Sequence, residues 1–532
     1  MVRHPAVLLG ALIVLGLVLR LLGVGWGLPF RLHPDEWVIF DGAVDMARRN
    51  SFEPQLFLRP DHVEIKLSYL AYVVYAALQR TPVDVLAAAD MTPFIVISRS
   101  ITAVLGAATI GLAYVVGRRF SRAVGLVAAA LFAVLPPYIV HSHYATPDVP
   151  LTLAVLIVAW GGMRYLARPT WANLLLMCAG VAVSIGIKYP GAIGAVMIAV
   201  VVVVAAARSR RWPQIVTRGA GSIAAVVGLL FVISPVLFTN VYGVAEAIRT
   251  ESRSTHLGSD GLGWGGNLLY YVSTFVETGG LVVAFFAVVG MVWAVRHRSL
   301  DAIPVTIGAV YWVALSSVPL HWSRWGLPMY ITPLIFAAIG VVMTARFLWA
   351  RKGGSARWLR AAFAVVVAVS GIHLAVDAVA WTVRYATSDS RVEALERFAP
   401  YDLTEQNTIT EGYTSLRPDG STRIFSHFHV EDGTLMIGDD VRDRDQKRYV
   451  MISSGMYGRF QADPRYVEEQ EFYRLLDEQF PVVATIDPGP FYQPSPVEVV
   501  DIWRAAAYLM VADSDRPPGP RIVLYEIPAS AW

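Results

Sequence analysis

What this sequence lacks narrows its class faster than what it holds. Cysteine occurs once, at Cys178, so no intrachain disulfide can form. Charged residues make up only 16% of the 532, where a soluble domain carries about 25%. The formal net charge is +3 and is not gathered into a basic run interleaved with aromatics, so nucleic acid is not an expected partner. No HExxH, zinc-finger spacing or nucleophile elbow is present. The glycine-rich stretch 258–266 precedes no P-loop lysine and reads as a loop, a candidate moving lid. Repeats of fixed period and low-complexity tracts are also missing.

What fills the chain instead is apolar: 55% of residues are hydrophobic. Hydropathy predicts eleven spans, near residues 5–25, 98–117, 124–140, 149–167, 171–187, 191–207, 219–238, 277–295, 302–318, 327–345 and 361–381. The first has no small-x-small site followed by a polar stretch, so it reads as an uncleaved helix. Residues 67–78 are apolar but short of the roughly 20 needed to cross. Charge placement decides that segment. If it does not cross, one side receives Arg118, Arg119 and Arg122, Arg208, Arg210 and Arg211, and Arg351, Lys352 and Arg357, while the short loops opposite keep only Lys188, Arg249, Arg253 and Arg324. The positive-inside rule therefore makes it a re-entrant or interfacial helix, with the N-terminus cytoplasmic and the C-terminus outside. The expectation is a multi-pass cell-membrane protein with a membrane domain over residues 1–381 and an extracytoplasmic α/β domain over 382–532. In the latter, apolar β-type runs at 449–452, 482–486 and 522–525 flank or follow a helical stretch at 465–479, with 509–512 as one more candidate strand.

On this topology the unusual polar residues collect in the outer loops. Leu32-His33-Pro34-Asp35-Glu36-Trp37 follows the first span. Pro34 suits a first helical turn, acids there meet the positive end of the dipole, and Trp37, Phe40 and Val44 recur at helical spacing, predicting an interfacial helix with its apolar face down. Val140-His141-Ser142-His143-Tyr144-Ala145-Thr146-Pro147-Asp148 follows the third span. An acid at the edge of hydrocarbon is costly and tends to be functional. Helix capping is the bland reading for both acid sites and stays open beside a catalytic one. His141 and His143 offer contacts to a phosphate, or serve as interfacial residues with satisfied rings. Arg99, Lys188 and Arg324 are isolated cations on separate spans. Singly each reads as a snorkelling side chain; together they suggest an anion site, which Arg253 and His256 would extend. Ser426-His427-Phe428-His429 hints only weakly at a metal. The residues alone imply an outer-leaflet enzyme acting on a lipid phosphate.

The motifs HPDEW and HSHYATPDVP resemble the GT-C glycosyltransferases, specifically the protein O-mannosyltransferase and phospholipid-carrier-dependent group. Asp35, Glu36, Arg99 and Asp148 match its acidic pair, second-span arginine and second-loop aspartate, and Lys188-Tyr189 and Arg324-Trp325-Gly326-Leu327-Pro328 look like its later outer-face signatures. The resemblance covers residues 1–345. It implies a mainly α GT-C fold and an inverting transfer of a sugar, mannose by default, from a polyprenyl-phosphate donor to a hydroxyl of protein, glycolipid or glycan. Asp35 would be the base, with Asp148 positioning a substrate. Where the family has a His-Pro-Pro-like signature before its interfacial helix, this chain has Arg59-Pro60-Asp61-His62-Val63-Glu64-Ile65-Lys66, which keeps His62 and Lys66 as site candidates. Some members use a divalent ion, Mg or Mn, and others do not; Asp35, Glu36 and Asp148 are the candidate ligands. Competing readings are a lipid-linked sugar transporter and a receptor or assembly scaffold built around a docking C-terminal domain.

Overall fold

The structure, a computed structural model, describes residues 4–57, 59–251, 262–417, 422–461, 463–488 and 517–532. Arg253 and His256, residues 258–261 and the candidate strand 509–512 lie outside the described residues; residues 263–266, expected as part of a loop, instead open the helix Gly263–Arg296. Two compact units emerge: Met1–Val24 with Trp37–Thr382, and Gly25–Glu36 with Val383–Trp532.

The first unit is helical. Its first part comprises α1 (Pro5–Leu21), α2 (Trp37–Arg48), α3 (His62–Gln79), α4 (Val83–Ala89), α5 (Thr92–Gly117), α6 (Arg122–Val134) and α7 (Pro136–Val140). Next come α8 (Asp148–Ala167), α9 (Trp171–Ile187), α10 (Gly194–Ser209) and α11 (Pro213–Ile233). Longer helices follow at Gly263–Arg296, Ile331–Ala350 and Gly354–Ala386, with shorter ones between. Every expected span falls on a helix or a pair of helices. Among the described residues seven helices are long and apolar enough to cross a membrane by length and composition, and four shorter apolar helices accompany them. Ser121 caps α6 by accepting the Val124 amide, and Thr170 caps α9 through Asn173, so both turns are encoded locally.

The apolar residues divide between a protein core and an outward surface. In α11 only Ser222 is buried, while Val216, Ile223, Phe231 and Val232 are exposed. Such a surface suits hydrocarbon, where backbone groups are satisfied inside the helix. Where helices pack on each other, small residues permit it: a Cβ at Gly290 would lie 1.9 Å from the Phe336 carbonyl oxygen, and one at Gly340 2.0 Å from that of Phe286. The two glycines let Gly263–Arg296 and Ile331–Ala350 approach closely. Gly280, at φ +80°, breaks the first of these helices near where hydropathy starts the span.

Two expectations for the segment between α1 and α3 need amending. Residues 34–36 form a turn, and α2 begins only at Trp37, so Pro34 does not occupy a first helical turn. The face of α2 bearing Phe40 and Val44 is buried with Val38, Ala43 and Met46, leaving Trp37 exposed. Hydrophobic spacing marks a buried face but does not say whether lipid or protein covers it. Helix α3 differs: Leu67, Leu70, Val74 and Leu78 are exposed while Ile65, Ser68, Tyr72 and Ala76 are buried. It is not among the helices apolar enough to cross, and its outward apolar stripe is that of an interfacial helix.

The second unit carries a four-stranded sheet in the order β1 (Thr408–Thr410), β4 (Tyr449–Ser453), β6 (Ile522–Glu526), β5 (Val482–Ile486). The β1–β4 pair is parallel and the others antiparallel. A hairpin of β2 (Phe428–Glu431) and β3 (Thr434–Ile437) stands beside it. Met451, Ile486, Ile522 and Leu524 form the core with Ala394 and Phe398.

Candidate active site

The first unit gathers opposite charges at one end of its bundle. Asp148 is the first residue of α8, where the helix dipole favours an anion. Its carboxylate does more than a capping role requires. Oδ1 accepts a hydrogen bond from Lys188 Nζ at 2.8 Å, and Arg324 Nε lies 4.0 Å from Oδ2. Lys188 sits where α9 ends and a 3-10 turn over Tyr189–Ile193 begins; Arg324 sits in the 3-10 turn Ser323–Gly326. Both ends are fixed by local chemistry, Pro190 stopping the helix and Gly326 admitting the close Tyr330 ring. Lys188 and Asp148 are buried, whereas the Arg324 side chain keeps 23% of its surface open. Trp325 presents its ring 5.3 Å from Lys188 Nζ, and buried His141 adds a further electrostatic neighbour to Asp148.

Three residues that sequence reasoning passed over belong here. Asp61 takes a left-handed backbone at the start of α3, its amide donates to the Ile187 carbonyl at 3.0 Å, and Arg59 Nε donates to its Oδ2 at 3.0 Å. That ties the loop before α3 to the residue preceding Lys188. Glu64, one turn further, is 2% exposed. Asp61 and Glu64 feel Asp148, Arg59 and Lys188 electrostatically. Burial pushes both carboxyls above their ordinary range, Glu64 well above, with repulsion from Asp61 and Asp148 adding to it. The signal was in the sequence: two acids three apart at the head of an apolar helix share one face.

The other expected residues have the following places. His62 Nε2 lies 2.8 Å from the Leu56 carbonyl oxygen, and burial pulls its ring down to about 4, so it is neutral. Lys66 bridges to Glu53 at 3.0 Å and donates to the Ile233 carbonyl at 2.8 Å, joining the loop before α3 to the end of α11. The Tyr189 hydroxyl donates to the Phe57 carbonyl at 2.7 Å. Arg99 is fully buried in α5 and donates to the Val24 carbonyl at 3.0 Å. His143 lies near Arg99 and Arg20, with its ring nitrogens 2.9 Å from the Ile139 and 2.7 Å from the Leu22 carbonyl oxygens. Asp35 and Glu36 belong to the second unit; the Asp35 amide donates to His33 Nδ1 at 3.2 Å, and Glu36 is buried. Among the described residues no three His, Cys, Asp or Glu side chains converge to hold a metal ion.

Chemically, Arg59, Lys188 and Arg324 stand against the carboxylates of Asp61 and Asp148. Glu64, its carboxyl raised by burial, lies alongside, and a cluster of three cations on separate elements suits a bound anion.

Residues 95–238, which include Arg99, Asp148 and Lys188, match the family model for dolichyl-phosphate-mannose-protein mannosyltransferases. No curated protein matches. Among solved structures, the archaeal oligosaccharyltransferase AglB of Archaeoglobus fulgidus, in complex with an inhibitory peptide and a dolichol-phosphate, superposes with a TM-score of 0.52 at 13% identity, covering 91% of this chain and 73% of that one. ArnT of Cupriavidus metallidurans bound to undecaprenyl phosphate covers 100% of both chains at 16% identity, with a TM-score of 0.49. The S. cerevisiae protein O-mannosyltransferase Pmt1-Pmt2 complex bound to the sugar donor is more distant, at 0.34 and 19% identity over 46% of this chain and 35% of that one.

Proposed function

The chain carries the GT-C fold of membrane glycosyltransferases, and from that premise we propose that it transfers a sugar from a polyprenyl-phosphate donor to a hydroxyl acceptor. The observation that carries the reading is the buried Asp148 that gathers Lys188 and Arg324 from separate elements. Asp148 bonds Lys188 at 2.8 Å and lies 4.0 Å from Arg324, so two cations stand beside one carboxylate where a phosphate would bind. As the bond between the anomeric carbon and the phosphate oxygen breaks, charge builds on the leaving phosphate, where preorganised cations lower the barrier. The acceptor oxygen bonds the anomeric carbon from the opposite face, and its proton passes to a carboxylate, with inversion. Asp35 is assigned that proton from its motif.

Mannose is the proposed sugar, supported by the family match over residues 95–238. The end holding Asp148 is proposed to face outward from the cell membrane, because Arg118, Arg119, Arg122, Arg208, Arg210 and Arg211 lie at the opposite helix ends. The C-terminal unit is proposed to lie outside with it and to dock the acceptor. The test is transfer of labelled mannose from polyprenyl-phosphate-mannose to an acceptor-containing envelope extract by the protein in lipid vesicles. Label should leave the lipid for a larger product; no transfer from any polyprenyl-phosphate sugar contradicts the reading.

A further inference from the structure

Glu64 is the one residue of this cluster whose carboxyl the site does not use internally. Both oxygens are buried, and neither has a hydrogen-bond partner among the described residues. Asp61, by contrast, takes Arg59, and Asp148 takes Lys188. Buried polar atoms are nearly always satisfied, so a buried carboxyl left open at both oxygens calls for a function. It is held firmly: α3 begins at the pinned Asp61, and the neighbouring Ile65 is fully buried. Its surroundings argue against a structural ion pair. Arg59 and Lys188, the cations that reach it electrostatically, are already bonded to Asp61 and Asp148.

We propose that Glu64 is a substrate-binding residue of this site, recognising a sugar hydroxyl. The inference rests on the glycosyltransferase reading and adds to it a residue for substrate selection. A protonated carboxyl offers one O–H donor and one carbonyl acceptor, the complement of a hydroxyl that both accepts and donates. Burial, with Asp61 and Asp148 close by, favours that protonated form. A site built to bond a hydroxyl discriminates strongly against an analogue that lacks it, because its own polar atoms are then left unpaired. The hydroxyl belongs either to the transferred sugar or to a glycan acceptor, and kinetics separate the two.

The experiment compares wild type, Glu64→Gln and Glu64→Leu in lipid vesicles, measuring kcat and the KM for donor and acceptor separately, with melting in detergent as the folding control. Glu64→Leu should lower kcat/KM by about 10- to 100-fold. Glutamine keeps a donor group and an acceptor group in the same shape, so Glu64→Gln should recover most of that loss. A loss confined to the donor side assigns the hydroxyl to the transferred sugar, and one confined to the acceptor side assigns it to the acceptor. Should Glu64→Leu fail to fold, Glu64→Gln is assayed with a series of monodeoxy donors and acceptors. One deoxy substrate should then erase the residual difference between Glu64→Gln and wild type; a difference unchanged by every deoxy substrate overturns the proposal. Wild-type kinetics in Glu64→Leu also overturn it, as does equal loss in both variants with melting unchanged, which would make Glu64 a base. A wild type that transfers no sugar overturns this inference and the function together, whereas transfer that ignores Glu64 overturns this one alone.

Discussion

Two buried polar neighbourhoods in the helical unit use their cations in opposite ways. Around Arg20, the guanidinium donates to backbone: Nη1 to the carbonyls of Gly16 at 2.8 Å and Ala133 at 3.1 Å, and Nη2 to that of Phe132 at 2.9 Å. Gly106 admits it, since a Cβ there would lie 3.0 Å from its Nε. That arginine ties α1 to α6 by filling carbonyls. Around Asp148, Lys188 and Arg324 meet a carboxylate, with Arg59 and Asp61 alongside. The first arrangement directs both terminal guanidinium nitrogens to carbonyls that hold helices together; the second concentrates charge. Burial alone therefore does not mark a functional cation, and the partner does.

Substitutions can break this contrast. The largest effect is expected at the proposed base: Asp35→Asn should lower kcat about 10²- to 10⁴-fold with melting unchanged, in a single-turnover assay. Lys188→Met strands a buried Asp148 and should cost about 3–5 kcal/mol of stability as well as transfer. Adding Asp148→Asn should restore stability but not transfer, and a double variant that regains activity would remove the pair from the chemistry. Arg324→Ala, at a longer and more open contact, should raise the donor KM about 10-fold while shifting stability by less than about 1 kcal/mol. Arg20→Met should do the reverse: lower the melting temperature through its orphaned carbonyls, at about 1–3 kcal/mol each before relaxation, and change turnover per folded molecule by no more than about twofold.

The smallest effect lies in the second unit. Glu411 is buried, with Ser453 N–H donating to one carboxyl oxygen at 3.0 Å and Tyr473 bonded to the other, and burial pushes it up to about 8 from 4.5. The folded state thus holds a proton that the unfolded state releases. The resulting stability is fully present below about pH 4.5 and is lost as pH rises toward 8. Glu411→Gln should flatten that slope in melting curves, and an unaltered slope would place the titration elsewhere.

Much of the fold was legible because hydropathy, length and loop charge are local signals. The strands over Tyr449–Ser453, Val482–Ile486 and Ile522–Glu526 lie where β-type runs predicted them. Burial partners were not legible: Phe40 and Val44 face protein while Leu70 and Val74 remain exposed, and composition is the same in both cases. In the candidate site, Asp148, Lys188 and Arg324 stood out as charges beside apolar spans. Asp61 and Glu64 did not, because their meaning depends on α3 being pinned to the end of α9, a contact between residues 61 and 187.

Lys188 and Arg324 are proposed to hold the lipid phosphate, and a cryo-EM map of the protein with bound polyprenyl phosphate decides it. The phosphate should lie within about 4 Å of Lys188 Nζ or the Arg324 guanidinium. A phosphate seated instead among Arg208, Arg210 and Arg211 at the opposite helix ends would contradict it.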